Sequence, residues 1–511
     1  MNHKAAETYP PNPQPVLLHQ YLLQYAKTTP AAIAIAPANW TYKDLATHSD
    51  NYAEILNNCG VACGDRIVLE LDPSPEAIAL IIACSSLGLV FVPLSPQTPK
   101  PRVEQILATT EARLHIRTQV GHFWPEIPQG ILQKVTLQIN RPLPPHSRSP
   151  KHPVLETDLA YIIFTSGTTG QPKGIMMTHR AMLAFFRALV NYCQLEPAAR
   201  IGTIAPLQFD FSLLDMGLAL GRGATLVQVP RNFLKPKQLV EYLDKNQVTQ
   251  MNSVPSLWCQ LLLPHAAEAI GNLQHLKTIF FAGETFSIPH LLHLQSLLPH
   301  LRIINCFGQS ESIACSFTDV PNPLPPETKN LSIGFAHPGA QMLLLDSQQQ
   351  EIQEPGKIGE IYLRGATLFS GYWRNLEATK SVLIPNPLRP FSQEKVFRTG
   401  DLAYQGSGGE LYFVGRRDLQ VKIRGNRVEL EEIEHRLMAH RAVTAAAVIT
   451  HNDTLLIAYI VSDPQPTAQE LRLFCGETLP NYMIPAEIHY LEALPTTING
   501  KIDRKALHLH R

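Results

Sequence analysis

At 511 residues the chain is longer than one hydrophobic core supports, so at least two domains are expected, and 45% hydrophobic with 17% charged residues excludes the low-hydrophobicity signature of disorder. Basic and acidic residues balance at 43 each, which excludes a strong field for nucleic acid or an anionic membrane. The N-terminus lacks the apolar core of a signal peptide, no run nears the roughly 18 apolar residues of a membrane span, and the eight cysteines are scattered, so a cytoplasmic enzyme with reduced thiols is expected, without membrane or nucleic-acid partners.

In chain order, residues 1–15 are polar and proline-rich and read as a loose lead-in to a helical pattern over Val16–Tyr25. From Tyr42 to about Val229, amphipathic helical patterns alternate with the short apolar runs Arg66–Leu71, Val90–Pro93 and Tyr161–Phe164. That alternation predicts an α/β fold of parallel βαβ units with helices over the sheet. Cys59 and Cys63 are the closest cysteine pair, but no second pair at ligand spacing follows, so they read as small core residues rather than zinc ligands. Residues 141–153, rich in Pro and basic groups, read as a surface loop.

The run Leu159–Phe164 feeds Thr165-Ser-Gly-Thr-Thr-Gly-Gln-Pro-Lys-Gly174, and a helix-like stretch follows over His179–Tyr192. Glycines there let the backbone approach an anion, the hydroxyls of Thr165, Ser166, Thr168 and Thr169 donate hydrogen bonds, and Lys173 adds positive charge, which suits a phosphate cradle. The Walker spacing is absent, because Lys173 is followed by glycine. Asp210 precedes the apolar run Leu213–Leu220, where a helix N-cap is the plain structural reading. Farther on, Glu360–Leu363, Leu411–Val414 and Leu455–Val461 are strand-like, and no internal repeat is visible.

Together with FGQSES (307–312), RTGDLA (398–403), FVGRRDLQVKIRGNRVELEEIE (413–434), LPNYMIP (479–485) and LPTTINGKIDR (494–504), the segment YIIFTSGTTGQPKGIMMTHRAM makes nearly the whole chain resemble the adenylate-forming superfamily. That superfamily includes acyl-CoA synthetases, luciferases and the amino-acid adenylation domains of nonribosomal peptide synthesis. The resemblance implies a large N-terminal domain of βα subdomains with parallel sheets over 1–415 and a small α+β C-terminal domain on a hinge over 416–511. It implies ATP and Mg²⁺, with Thr165, Ser166, Gly167, Thr168, Thr169, Lys173, Phe307, Gly308, Ser310, Asp401 and Arg416 at the nucleotide. In that scheme Phe307 faces adenine, Asp401 accepts from both ribose hydroxyls, and Arg416 helps hold the ribose.

The same resemblance makes Glu311 the metal ligand, a hard oxygen beside the triphosphate. FGQSES departs from the family's Gly-Pro-Thr-Glu, with Gln309 and Ser310 in place of Pro and Thr, and this is expected to change the loop's stiffness rather than its chemistry. Lys501 matches the catalytic lysine: when a carboxylate attacks the α-phosphorus both reactants are anions, and an ammonium bridging them stabilises the transition state. Asp418 matches the hinge. The Lys422–Gly425 loop matches one that the family turns toward the site for its second half-reaction; without the flanking motifs it would read as a β-hairpin with a basic edge.

Asp210 matches the aspartate that amino-acid-activating members place against the substrate's ammonium, a partner acyl-CoA synthetases do not need. A buried carboxylate without a partner is costly, so its presence implies a cationic substrate group. The resemblance lines the substrate pocket with Phe211, Leu214, Ser253, Phe280, Ala282, Cys306, Ala314 and Cys315, none charged, which implies a small or medium apolar amino acid. The context FDFSLLDMGLALGRGATLVQVP is most similar to free-standing prolyl–carrier-protein ligases, so L-proline is the first expectation, with alanine and valine open. The chain stops soon after the lysine motif, so transfer to the phosphopantetheine thiol of a separate carrier protein is expected. Two alternatives stand beside this one: an acyl- or aryl-CoA synthetase, and a catalytically silent ATP-binding protein on the same fold.

Overall fold

The computed structural model describes residues 15–118, 124, 126–144, 153–167, 171–196, 198–451, 455–496 and 502–508. Two large mixed sheets, of seven and nine strands, carry the first part of the chain. In the seven-stranded sheet, Arg66–Glu70 runs parallel to Val90–Leu94 and Leu114–Arg117, and Val90–Leu94 runs parallel to Leu159–Thr165. All five residues of Val90–Leu94 are buried, as expected of a parallel strand covered on both faces. Pro75–Ser86 shows how the sequence places a covering helix: Ser74 accepts from the Ala77 N–H, Pro75 opens the first turn, and Ala77–Ser85 are buried on every side.

The nine-stranded sheet holds the parallel strands Arg200–Thr203, Gln250–Ser253, Thr278–Ala282 and Arg302–Phe307. A five-stranded antiparallel sheet follows, including Ile358–Gly365, Lys395–Gln405 and Leu411–Arg416. Beyond it come the hairpin Gln420–Ile423/Asn426–Glu429, the helix Leu430–Met438 and a three-stranded sheet of Val443–His451, Leu455–Ser462 and Glu487–Tyr490. Ile423, Val428, Ile433, Val448, Leu471 and Met483 share a buried cluster whose members all come from this last part of the chain. The α/β architecture and parallel units expected from the alternating pattern are thus present.

Several local expectations differ from the structure. The pattern over Val16–Tyr25 forms two short helices, Leu18–Leu22 and Tyr25–Thr28, the first packing Tyr21 on Phe186 at 5.4 Å. Between the phosphate-loop sequence and the helix His179–Cys193 lies an unanticipated strand, Lys173–Thr178, antiparallel to Leu159–Thr165. Cys63 is exposed and Cys59 half-buried, so they are not core residues. Residues 145–152 of the expected surface loop lie outside the described residues. Among the described residues no helix is long and apolar enough to cross a membrane.

Candidate active site

Where the parallel strands of the nine-stranded sheet end, Ala282 and Cys306 join Thr165, Asp210, Phe211, Leu214, Gly308, Gln309, Ser310 and Ile313 around a cavity of about 100 Å³. The carboxyl ends of parallel strands are the usual crevice for ligands in such sheets. The cavity is smaller than the roughly 300 Å³ of ordinary ligand clefts, because Gln420, Lys422, Gly425 and Arg427 of the hairpin stand inside its wall. Gly308 is needed for the fold of the FGQSES turn, since a Cβ there would sit 2.4 Å from Ala314 Cα. In the same turn Ile313 holds φ at 64°, a strained value for a β-branched residue.

Asp210 is the first residue of the helix Asp210–Leu220, and Phe209 holds the N-cap position, so the N-cap reading of Asp210 gives way to a side chain facing the cavity. Burial raises its pKa above the ordinary carboxylate value, while the Ser310 hydroxyl, donating to it, and the nearby Lys422 ammonium offset part of that rise. Of the anticipated pocket residues, Asp210, Phe211, Leu214, Ala282 and Cys306 line the cavity, whereas Ser253, Phe280, Ala314 and Cys315 do not. Phe280 is fully buried, two residues behind Ala282 on the same strand face, with its ring against Phe317 at 5.8 Å. It belongs to the layer beneath the pocket.

Each acid expected at the nucleotide has a basic or amide partner. Glu311 is completely buried, and Arg427 Nη1 donates to both of its oxygens, at 2.7 and 2.8 Å, while the Tyr372 hydroxyl donates at 2.7 Å. Burial alone would raise the Glu311 pKa; Arg427 and Tyr372 outweigh it and hold the carboxyl below its ordinary value. Asp401 accepts from Gln309 Nε2 and from Arg416 Nη1. Gln309 thus places an amide on the carboxylate expected at ribose. Arg416 also binds both oxygens of the exposed Asp418, at 2.7 Å each, bracing the chain just before the hairpin. Phe307 packs against Phe413 at 5.5 Å, and Lys173 lies over the Tyr372 ring at 5.8 Å.

The hairpin closes the site from above. Lys422 Nζ donates to Gly308 O at 3.3 Å, the Gly425 N–H to Glu284 Oε1 at 2.7 Å, and the Ser166 hydroxyl to Arg427 O at 2.9 Å. Burial lowers the Lys422 pKa, and Asp401 works against that. The element is thus the basic hairpin of one reading and the site-facing loop of the other. Thr168, Thr169 and Lys501 lie outside the described residues. Sequence reasoning gives no role to Tyr372, Ile313, Glu284, Arg427 or Glu432; Arg427 and Glu432 stand inside the motif GNRVELEEIE, which is the available signal.

A family model described as "AMP-binding enzyme" matches residues 22–373, and one described as "AMP-binding enzyme C-terminal domain" matches 432–501. Tyrocidine synthase 2 of Brevibacillus parabrevis is 32% identical over 93% of this chain, which spans only 13% of that protein's length. An L-proline--[L-prolyl-carrier protein] ligase of Pseudomonas fluorescens is 30% identical over 96% of this chain and 98% of its own. Among solved structures, that of IdnL1 superposes with a TM-score of 0.87 at 44% identity, covering 94% of this chain and 99% of the other.

Proposed function

The chain belongs to the AMP-binding enzyme family, and from that premise we infer that it activates an apolar amino acid with ATP as the aminoacyl-adenylate, releasing pyrophosphate, and passes the aminoacyl group to the phosphopantetheine thiol of a carrier protein. The observation that carries the amino-acid reading is Asp210, a carboxylate on a cavity wall whose other fixed members are uncharged. In the present arrangement Lys422 supplies nearby positive charge. When the hairpin withdraws, that charge leaves with it, and Asp210 needs another cation, which the substrate's ammonium provides. L-Proline is the first candidate, supported by the apolar wall of Phe211, Leu214, Ile313 and Cys306 and by the Pseudomonas relative.

In this reading Asp210 orients the amino acid, Phe307 and Phe413 flank the base, Asp401 takes the ribose, and Ser166 with the Gly167 N–H meets phosphate oxygens. Glu311 is the protein's ligand for Mg²⁺. Its surroundings fit that role: the carboxylate is fully buried, its charge is met here by a guanidinium, and Arg427 connects it to Ser166 of the phosphate loop. Phosphate and water oxygens would supply the remaining ligands, as is usual for this ion. Bound there, Mg²⁺ neutralises charge on the phosphates during displacement. Lys501 is assigned the ammonium that bridges substrate carboxylate and α-phosphate.

The test is amino-acid-dependent ATP–pyrophosphate exchange over a panel of α- and β-amino acids, each paired with the carboxylic acid lacking the amine. Exchange should appear with a small apolar amino acid and fall by at least about a hundredfold for its des-amino partner, since that ligand leaves a buried charge unpaired. Equal exchange with the des-amino acid would turn the reading toward an acyl-CoA synthetase.

A further inference from the structure

Gln309 stands between the amino-acid cavity and the carboxylate expected at ribose. It lines the cavity with Asp210 and Ser310, and the residue is only 8% exposed. A carboxylate accepts hydrogen bonds, so the amide nitrogen Nε2 is the end of Gln309 that meets Asp401. The other end, Oε1, is buried and accepts from no donor among the described residues. Asp401 is not part of the cavity wall, so the nitrogen is turned away from the cavity and the oxygen lies on the cavity's side. A buried amide oxygen without a donor is costly, and such atoms in folded proteins call for an explanation. Proline, the residue usual in the resembling family at this position, has no polar side-chain atom, so this acceptor departs from the family's pattern. The neighbouring Ser310 donates its hydroxyl to Asp210, and two consecutive residues thereby reach the two carboxylates of the site.

We propose that Gln309 is a second acceptor for the substrate's ammonium group: Asp210 takes one N–H, and Gln309 Oε1, oriented through Nε2 on Asp401, takes another. This rests on the amino-acid reading given above and extends it to a further specificity-determining residue. Phe211, Leu214, Ala282, Cys306 and Ile313 bring no side-chain oxygen to the cavity, so the polar recognition of the ligand falls to a few groups. The ligand class that fits is an acid whose charged nitrogen carries at least two N–H donors, as primary and secondary amines both do. A hydroxy acid brings one donor and a des-amino acid none. The bond to Gln309 is charge-assisted and therefore stronger than a neutral one. An analogue without the amine leaves Asp210 and Gln309 unpaired together, which sharpens rejection beyond what one carboxylate gives.

The experiment measures ATP–pyrophosphate exchange at saturating ATP for the parent, for Gln309→Met, which keeps the length and removes both polar ends, and for Gln309→Pro, the family's usual residue, each checked by thermal unfolding. The probe is the amino acid of the panel above that the parent exchanges fastest, with its des-amino partner as competitive inhibitor, and binding of Mg·ATP alone is followed by calorimetry. In the folded variants the amino-acid KM should rise about tenfold or more, the scale of a lost hydrogen bond to a charged group, with kcat changed much less. Inhibition by the des-amino acid, which has no donor for Gln309, should stay within about threefold of the parent. Mg·ATP affinity should hold equally well, because Arg416 still donates to Asp401. A residue that only braces Asp401 would weaken all three ligands alike. An unchanged amino-acid KM, or one that rises no more than des-amino inhibition and Mg·ATP binding weaken, would overturn this proposal and leave amino-acid activation standing. A parent that exchanges with no amino acid would overturn that reading and this proposal with it.

Discussion

Two aspartates lie five residues apart on the helix Asp210–Leu220, and their surroundings give them different work. Asp210 opens onto the cavity, whereas Asp215 is sealed in the core, where Asn252 Nδ2 donates to Oδ1 at 2.8 Å. Burial pushes the Asp215 pKa up to about 7, well above the ordinary carboxylate range, and the Thr203 and Asn252 hydrogen bonds only moderate the rise. The folded state therefore holds a proton that the unfolded chain releases. Its contribution to stability is full below about pH 4 and is lost as pH rises toward 7. Asp215→Asn keeps the acceptor and removes the titration, so its melting temperature relative to the parent should climb between about pH 4 and 7 and level off above. A difference that stays flat across that range would show that Asp215 does not titrate there.

The residues most legible in the sequence are those whose meaning is local: Asp210, Glu311 and Asp401 each sit in a short recognisable segment. Arg427 and Glu432 are not, although their segment is in view. Their partners, Glu311 and Gly167, are 116 and 265 residues away, and only the tertiary approach of the hairpin gives them a role. Some of the expected pocket residues miss the cavity for a related reason. Alternation along Thr278–Ala282 puts Phe280 and Ala282 on one face, but depth along that face, which sends Phe280 into the layer below, is set by Phe317 from another strand.

At the scale of elements, the hairpin Gln420–Glu429 covers the site. Its turn depends on Gly425, which holds φ at +77° and lies so close to the nine-stranded sheet that a Cβ would come within 2.3 Å of Val254 Cγ1. Gly425→Ala meets both the contact and a left-handed backbone that costs an L residue about 1–2 kcal/mol. Docking should weaken by roughly tenfold. Transfer to a pantetheine thiol, measured under single turnover, should slow accordingly, while pyrophosphate exchange falls far less; equal losses in both would mean that the hairpin serves both steps alike. Helices with strong caps and strands with unbroken apolar runs are readable in the sequence, as Pro75–Ser86 and Val90–Leu94 show. The strand Lys173–Thr178 is hidden there because its opening Lys-Gly continues a proline- and glycine-rich loop, and its pairing with Leu159–Thr165 supplies what local propensity does not.

For the molecule as a whole, a large part built on two sheets presents the acids and Thr165, and a smaller part with its own core brings basic groups to them. Arg416 and Asp418 stand at the junction, gripping each other at 2.7 Å while Arg416 also holds Asp401, so the pivot proposed at Asp418 is coupled directly to the carboxylate proposed for the ribose. The two-part organisation is legible because motif order in the sequence follows it; the relative placement of the parts depends on ion pairs between distant segments. The most direct test is a quenched single-turnover reaction of the full chain with ATP, Mg²⁺ and each of a set of small apolar amino acids in turn, chased with a phosphopantetheine-bearing carrier domain and followed by mass spectrometry. Aminoacyl-AMP should form first and then decay as the carrier gains the aminoacyl mass, with neither species formed from the des-amino acid. Failure of every amino acid to form the adenylate, or equal yields from the des-amino acid, would contradict this function.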